Sequence, residues 1–369
     1  MSIQMVDLKG QYLKIKDEVN EAIQNVIDST SFINGPQVKS FAQNLEKYLG
    51  VKHVIPCANG TDALQVAFMA LGLNQGDEVI VPCFTYVATA EVIALLGLVP
   101  VLVDVNPNTF QIDTNAFEKA ISAKTKAVVP VHLFGQCADM ETILPIAKKH
   151  NIFIVEDTAQ AIGANYTMNN GEVHSAGCIG DFGTTSFFPS KNLGCYGDGG
   201  AIFTNNDDLA AKARMICNHG QKKKYYHSVV GVNSRLDTIQ AAILDVKLKY
   251  LDDYSGARRA VADRYDKVFK NHPNFEIPAR DVKSTHVFHQ YTLKINNIDR
   301  DKVKQHLAEH NVPSMVYYPV PLNQQDAYKG VGNFPVTEDL CSRVLSLPMS
   351  TELTNEQQQT IIETILNFA

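Results

Sequence analysis

A lysine can attack a carbonyl, or carry an aldehyde as a Schiff base, only when its amine is neutral and held in place. Lys191 has the setting for this. It lies in Ser186-Phe-Phe-Pro-Ser-Lys191-Asn-Leu-Gly-Cys-Tyr-Gly197-Asp198-Gly199-Gly200, between a short β-type run and a glycine cluster, and Ala201-Ile-Phe-Thr204 then resumes strand character. Taken alone, a surface lysine in a glycine turn is the commoner occurrence. Other stretches change the weighing. Asn59-Gly60-Thr61-Asp62-Ala63 falls between a strand and a helix. Free amides, the positive end of the helix dipole and the Thr61 hydroxyl would form a phosphate cup there, although plain capping by Asn59 or Thr61 has the same signature. Val155-Glu156-Asp157 ends an apolar strand on a carboxylate. Such a group can keep a ring nitrogen protonated or simply cap the next turn. Tyr86 could stack on a planar cofactor or pack in the core. Asn233-Ser-Arg235 could present an amide and a guanidinium at a helix start, or serve as cap and surface charge.

These residues need a scaffold that gathers strand ends along one edge. Leu8, Tyr12, Ile15, Val19, Ile23 and Val26 step by three and four, which predicts one amphipathic helix. Pro36 starts a second, with Val38, Phe41, Leu45 and Tyr48 on one face. Strands and helices then alternate. The strands are His53–Cys57, Glu78–Pro82, Val101–Val105, Ala127–Val131 and Ile152–Val155; the first helices are Thr61–Leu71 and Tyr86–Leu96. Short, β-branched runs of this kind are buried on both faces by crossover helices. The pattern predicts an α/β fold with a mainly parallel sheet and a site at its carboxyl edge. A long helix from Leu236 to Tyr250 leads away from it. Asn274 to Asp281 reads as a loop. A strand at Tyr291–Ile295, a helix from Arg300 and a last helix capped by Thr354 with Gln357 predict a smaller α+β domain. The expected division is residues 1–250, with an N-terminal helical arm, and residues 251–369.

Composition narrows the function classes. The 369 residues carry a net charge of −6, with 45% hydrophobic and 20% charged residues. That is an ordinary globular balance and argues against general nucleic-acid binding. Lys222-Lys223-Lys224 is the longest basic run and reads as a solvated loop. The most apolar stretch, Val92 to Val103, is too short to span a bilayer, and the N-terminus lacks a signal-peptide layout. Seven scattered cysteines with no C-x-x-C pair read as reduced thiols in a cytoplasmic protein without a metal site.

The order of the signals is more telling than any one of them: phosphate cup, aromatic, strand-end acid, lysine in a glycine loop. In that order the chain resembles the pyridoxal-phosphate (PLP) enzymes of fold type I, and in detail the DegT/DnrJ/StrS sugar aminotransferases. The likeness runs from Asp7-Leu8 to Tyr318-Pro319. It includes Ala58-Asn-Gly-Thr-Asp-Ala-Leu64, Phe84-Thr-Tyr-Val-Ala-Thr89, Glu156-Asp157, Ser186–Lys191, Gly197–Gly200 and Gly231-Val-Asn-Ser-Arg-Leu-Asp237. The resemblance implies roles. Lys191 would bind the cofactor aldehyde and shuttle the proton. Asp157 would hold the pyridine nitrogen and Gln160 the ring hydroxyl. Gly60, Thr61 and Ser186 would hold the phosphate, with Asn233 reaching over from a partner subunit, and Tyr86 would cover the ring. Enzymes of this family that remove a sugar hydroxyl have histidine at the lysine position; lysine here implies amino transfer.

The implied protein is a cytoplasmic homodimer that passes an amino group, with L-glutamate as donor, to a nucleotide-linked keto-sugar. Gly135-Gln-Cys-Ala-Asp139, Asn192–Tyr196 and Asn233–Ala242 look most like the 3-aminotransferases acting on UDP-2-acetamido-2-deoxy-3-keto-glucuronate in surface-polysaccharide synthesis. Arg235 could bind the uronate carboxylate as a bidentate pair, with Tyr317 and Tyr318 beside the substrate. Relatives acting on carboxylate-free sugars also have arginine there, and Tyr317 stands where the uronate enzymes would carry histidine. A dTDP-3-keto-6-deoxyhexose is therefore the rival substrate. A PLP-fold sensor without catalysis is the rival function.

Overall fold

A computed structural model describes residues 2–328 and 332–368. The Asp7 carboxylate accepts from the Gly10 amide at 2.8 Å and caps α1 (Leu8–Lys14). Ile15, at φ −120° and ψ 18°, separates it from α2 (Lys16–Ser29). The single helix expected here is thus two. The break carries Ile15 into an apolar cluster with Val19, Ile243 and Val246. Pro36 occupies the first turn of α3 (Pro36–Leu49).

The alternating region follows: β1 (His53–Cys57), α4 (Gly60–Leu71), β2 (Glu78–Pro82), α5 (Ala88–Leu95), β3 (Val99–Val103), α6 (Thr114–Ala120), β4 (Thr125–Val128), α7 (Met140–His150) and β5 (Phe153–Asp157). A short hairpin, β6 (Asn165–Thr167) and β7 (Val173–Ser175), precedes β8 (Phe182–Ser186) and β9 (Gly200–Thr204). The large sheet has the order β1-β9-β8-β5-β4-β2-β3. β9 runs antiparallel to both neighbours and the other pairings are parallel. The outer strands β1 and β3 carry Pro56 and Pro100, residues without an amide to donate and therefore tolerated at edges. Val79 and Val81 of β2 pack with Phe68 of α4 and Val92 of α5, while Ile80 packs with Phe117 and Ile143 on the opposite face. Both faces of the sheet are thus buried under helices, as the apolar runs require.

After β9 come α8 (Asp207–Cys217) and an exposed hairpin, β10 (Gln221–Lys223) with β11 (Tyr226–His227), where the sequence suggested only a loop. The long helix expected beyond Arg235 is α9 (Thr238–Leu248), which gives way at Lys249 and Tyr250 to α10 (Leu251–Phe269). A second, antiparallel sheet orders β12 (Phe275–Glu276), β13 (Tyr291–Ile295) and, after α11 (Arg300–Glu309) and α12 (Pro335–Arg343), β14 (Val344–Leu347). β12 lies within the stretch read as loop. α13 (Asn355–Leu366) opens with the expected Thr354–Gln357 capping box. Tyr265, Phe269, Leu293, Leu307 and Ile361 form the core around this sheet.

Candidate active site

The reversed direction of β9 decides where Lys191 stands. β8 leaves the sheet at the carboxyl edge of the parallel strands, and β9 re-enters at that same edge. The intervening loop, residues 187–199, therefore hangs over the ends of β5 and β8. Inside it, the Phe187 amide donates to the Gly199 carbonyl at 2.7 Å, and the Cys195 amide to the Phe187 carbonyl at 2.8 Å.

The phosphate-cup residues converge on this edge. Asn59 caps α4, its side chain accepting from the Asp62 amide at 2.8 Å. The capping reading is thus correct for Asn59, and it leaves the Thr61 hydroxyl uncommitted. A Cβ on Gly60 would lie 2.7 Å from the Ser186 Cβ, and one on Gly200 would lie 2.4 Å from the Asn59 backbone. Three chain segments therefore meet here at distances only glycine permits. The Ser234 hydroxyl accepts from the Ala58 amide at 3.1 Å, bringing the Asn233–Arg235 segment to the same place.

Asp157 is buried at the end of β5. One carboxylate oxygen accepts from the Thr89 hydroxyl at 3.2 Å and the other from the Ala159 amide at 3.0 Å. It does cap the following turn, yet lone pairs remain on both oxygens. Gln160 is oriented by its neighbours. Its carbonyl accepts from the Phe134 amide at 2.7 Å, so its amino group must face the Tyr318 hydroxyl, 3.1 Å away. One N–H of that group is left over. Phe134 holds its amide in place from a left-handed backbone, φ 59°. Behind Asp157, buried Glu156 accepts from His132 Nε2 at 2.8 Å and from the amides of Gly177, Ile179 and Gly180.

The Lys191 side chain is half-buried, and its amine has no hydrogen-bond partner among the described residues. Burial brings its pKa down to about 8, against the Asp157 charge, which pulls the other way. A lowered pKa makes a larger share of the amine neutral than in a free lysine, which Schiff-base chemistry needs. Tyr86 is 59% exposed, which excludes the core reading, and its ring centroid lies 6.5 Å from that of Tyr318. Burial pushes the phenols of Tyr317 and Tyr318 up.

Asn233 and Arg235 make no side-chain hydrogen bond or ion pair among the described residues. Asn233 is exposed, with only its backbone bridged to Asn218, and Arg235 is half-buried without an ion pair among the described residues. Four other residues support the site in roles the sequence did not assign. Thr89, Phe134 and His132 act through hydrogen bonds to Asp157, Gln160 and Glu156, and Asn192, next to Lys191, donates to the Val287 carbonyl at 3.0 Å. Asn192 had a local signal, its place next to the lysine, and Thr89 lay in the Phe84–Thr89 run.

The residues present fit PLP. The glycine-bounded cradle at α4 admits an oxyanion among backbone amides. The spare N–H of Gln160 suits a ring oxygen, and Asp157 keeps free lone pairs for a ring N–H.

A family model described as the DegT/DnrJ/EryC1/StrS aminotransferase family matches residues 13–366. The chain is 45% identical over 367 residues to UDP-2-acetamido-2-deoxy-3-oxo-D-glucuronate aminotransferase of Pseudomonas aeruginosa, covering 99% of this chain and 100% of that one. It is also 45% identical over 377 residues to a pleiotropic regulatory protein of Geobacillus stearothermophilus, covering 100% and 99%. Its fold superimposes on a DegT/DnrJ/EryC1/StrS aminotransferase from Brucella abortus with TM-score 0.94 at 42% identity, covering 99% of both. The PLP form of a sugar aminotransferase from Streptococcus pneumoniae gives TM-score 0.88 at 27% identity, covering 95% of this chain and 95% of that one.

Proposed function

Because this chain belongs to the DegT/DnrJ/EryC1/StrS aminotransferase family, we propose that it moves an amino group from L-glutamate to the keto carbon of UDP-2-acetamido-2-deoxy-3-keto-glucuronate. It is a PLP-dependent nucleotide-sugar aminotransferase. The proposal places it in the cytoplasm as a homodimer with shared sites, serving surface-polysaccharide synthesis. Among the described residues, no helix is long and apolar enough to cross a membrane. The observation that carries the proposal is that Lys191, its pKa lowered by burial, stands within the electrostatic reach of the buried Asp157 carboxylate at one edge of the sheet.

When bound, PLP supplies an aldehyde carbon that exchanges amines and a ring that draws off electrons. This chain's residues do the rest. Gly60, Thr61 and Ser186 anchor the phosphate, and Asp157 keeps a proton on the ring nitrogen. Gln160 bonds the ring oxygen, and Tyr86 shields one ring face. Lys191 Nζ would hold the cofactor aldehyde and would be the group on this chain that takes up and returns the proton. Asn233, whose side chain has no partner among the described residues, is assigned to the partner's site, with Arg235 on the uronate carboxylate and Tyr317 and Tyr318 donating to the sugar.

The proposal also divides the chain at residues 1–250 and 251–369. The separate core of the second sheet supports this, although Leu322, Phe334 and Leu340 pack into the core of the large sheet.

The test is spectral, then kinetic. Glutamate alone should convert the aldehyde form of the bound cofactor to the amine form, which a regulatory protein without catalysis would not do. Steady-state rates with the uronate and with a carboxylate-free dTDP-3-keto-6-deoxyhexose then decide the substrate. Wild type should prefer the uronate, and Arg235→Ala should erase that preference. A faster reaction with the carboxylate-free sugar in wild type overturns the uronate assignment alone.

A further inference from the structure

A second buried lysine stands behind the first. Lys247, on α9, is 1% exposed and makes no ion pair with a carboxylate among the described residues. Its Nζ donates to the Gly194 carbonyl at 2.5 Å and lies 5.4 Å from the Tyr196 ring centroid. Burying an ammonium is costly unless it is well partnered, and a methionine would fill similar space without that cost. What the ammonium adds is a grip on Gly194, three residues after Lys191. Two helical turns earlier on α9, Gln240 shares the face of Lys247. Its carbonyl accepts from the Tyr196 amide at 2.8 Å. α9 therefore holds the lysine loop at Gly194 and at Tyr196.

The near side of the loop is held separately. Asn192 donates to the Val287 carbonyl at 3.0 Å and contacts His289 Nδ1 at 3.2 Å. Arg258 NH1 donates to the carbonyls of Phe288 and His289. The chain at Asn192 and the chain at Gly194 and Tyr196 are thus fastened to different segments, and Lys191 sits just before the first attachment.

We propose that Lys247 is a positioning residue for Lys191: by fixing the Gly194 carbonyl it holds the lysine loop closed and keeps the Lys191 amine dry. This rests on Lys191 being the reactive amine of the proposed function. The charged and titratable groups facing Lys191 are Asp157 and His289; those facing Lys247 are Cys195, Arg258 and the Tyr196 ring. Loosening Gly194 admits water, and the Lys191 amine then regains its ordinary basicity.

The experiment titrates Lys191 in cofactor-free full-length protein, by reductive methylation across pH with peptide mapping, so activity is not the readout. Wild type should show a midpoint near 8. Lys247→Met should raise it by about one unit, leaving about tenfold less free amine near neutral pH. Lys247→Arg, which keeps a donor and a charge, should restore the wild-type midpoint. Gln240→Met removes the Tyr196 tether without changing charge and should shift the midpoint the same way by less. Its midpoint decides between the outcomes if Lys247→Met does not fold. A lower melting temperature in Lys247→Met with an unmoved Lys191 midpoint marks a merely structural lysine and overturns the proposal. So does an unmoved midpoint in Gln240→Met where Lys247→Met fails to fold. A wild-type midpoint near that of free lysine overturns both this role and Lys191 as the reactive amine. A depressed wild-type midpoint unmoved in Lys247→Met overturns the role of Lys247 alone.

Discussion

The Cβ that Gly60 lacks would fall 2.7 Å from the Cβ of Ser186, so the first turn of α4 and the end of β8 touch without an intervening side chain. Gly60→Ala must push them apart. The expected result is cofactor affinity weakened about tenfold, roughly 1.4 kcal/mol, from a phosphate cradle that no longer closes. Equilibrium dialysis of PLP measures it, and wild-type affinity in the variant would show that the contact has no bearing on the phosphate.

Borohydride should fix PLP to Lys191 alone among the lysines, although Lys247 is also buried with its pKa lowered to about 8. The Lys247 amine already donates to Gly194, whereas that of Lys191 has no hydrogen-bond partner among the described residues. Peptide mapping distinguishes the two. Label on Lys247 or on Lys222–Lys224 contradicts the assignment.

Asp157→Asn should slow the glutamate half-reaction by about 10²-fold or more, because a neutral amide cannot keep the ring nitrogen protonated. Cofactor should still bind through the cradle. Stopped-flow spectroscopy reads the rate, and a near-normal value would reduce Asp157 to the cap it also provides for Ala159.

Mixing tests the shared site. Lys191→Ala and Asn233→Ala proteins, each weak alone, should recover about a quarter of wild-type activity when refolded together, since hybrids would hold one intact site. Verified hybrids without recovery would confine each site to one chain.

Acid should destabilise the fold through His286 and His289. Burial holds the His286 pKa down at about 3, and burial with the charges of Lys191 and Arg258 lowers that of His289. Both stay neutral in the folded chain and gain protons on unfolding once the pH drops below about 6.5. Stability conferred by their neutral forms is therefore complete above that pH and is lost as pH falls toward their folded-state values. The expected slope is about 1.4 kcal/mol per pH unit for each histidine. Urea melts between pH 6 and 4 should lose about one histidine's share, half of the combined slope, in His286→Gln.

The sheet strands, the lysine loop and the strand-end acid were legible because each has a local signature: apolar β-branched runs, glycines, a carboxylate after Val155. Strand limits moved by a few residues where prolines intervene, as at Pro100 inside β3. The reversal of β9 was not legible, since a buried strand reads alike in either direction. Nor were the supporting partners. Thr89 lies 68 residues from Asp157, and Gln160 lies 158 residues from Tyr318. No periodicity spans such gaps, and only folding reveals which hydroxyl or amide will face a given side chain. The split between α1 and α2 was hidden because Ile15 keeps the apolar spacing while leaving helical geometry.

Pro56 and Pro100 sit on the two outermost strands of the large sheet. Each interrupts the ladder of donors that a stray β-strand would need in order to add on. Recruitment of further strands at either margin, the usual beginning of fibrous precipitation, is thereby discouraged. Replacing both prolines with valine should leave the fold of a fresh sample unchanged and shorten its life in warm, concentrated storage.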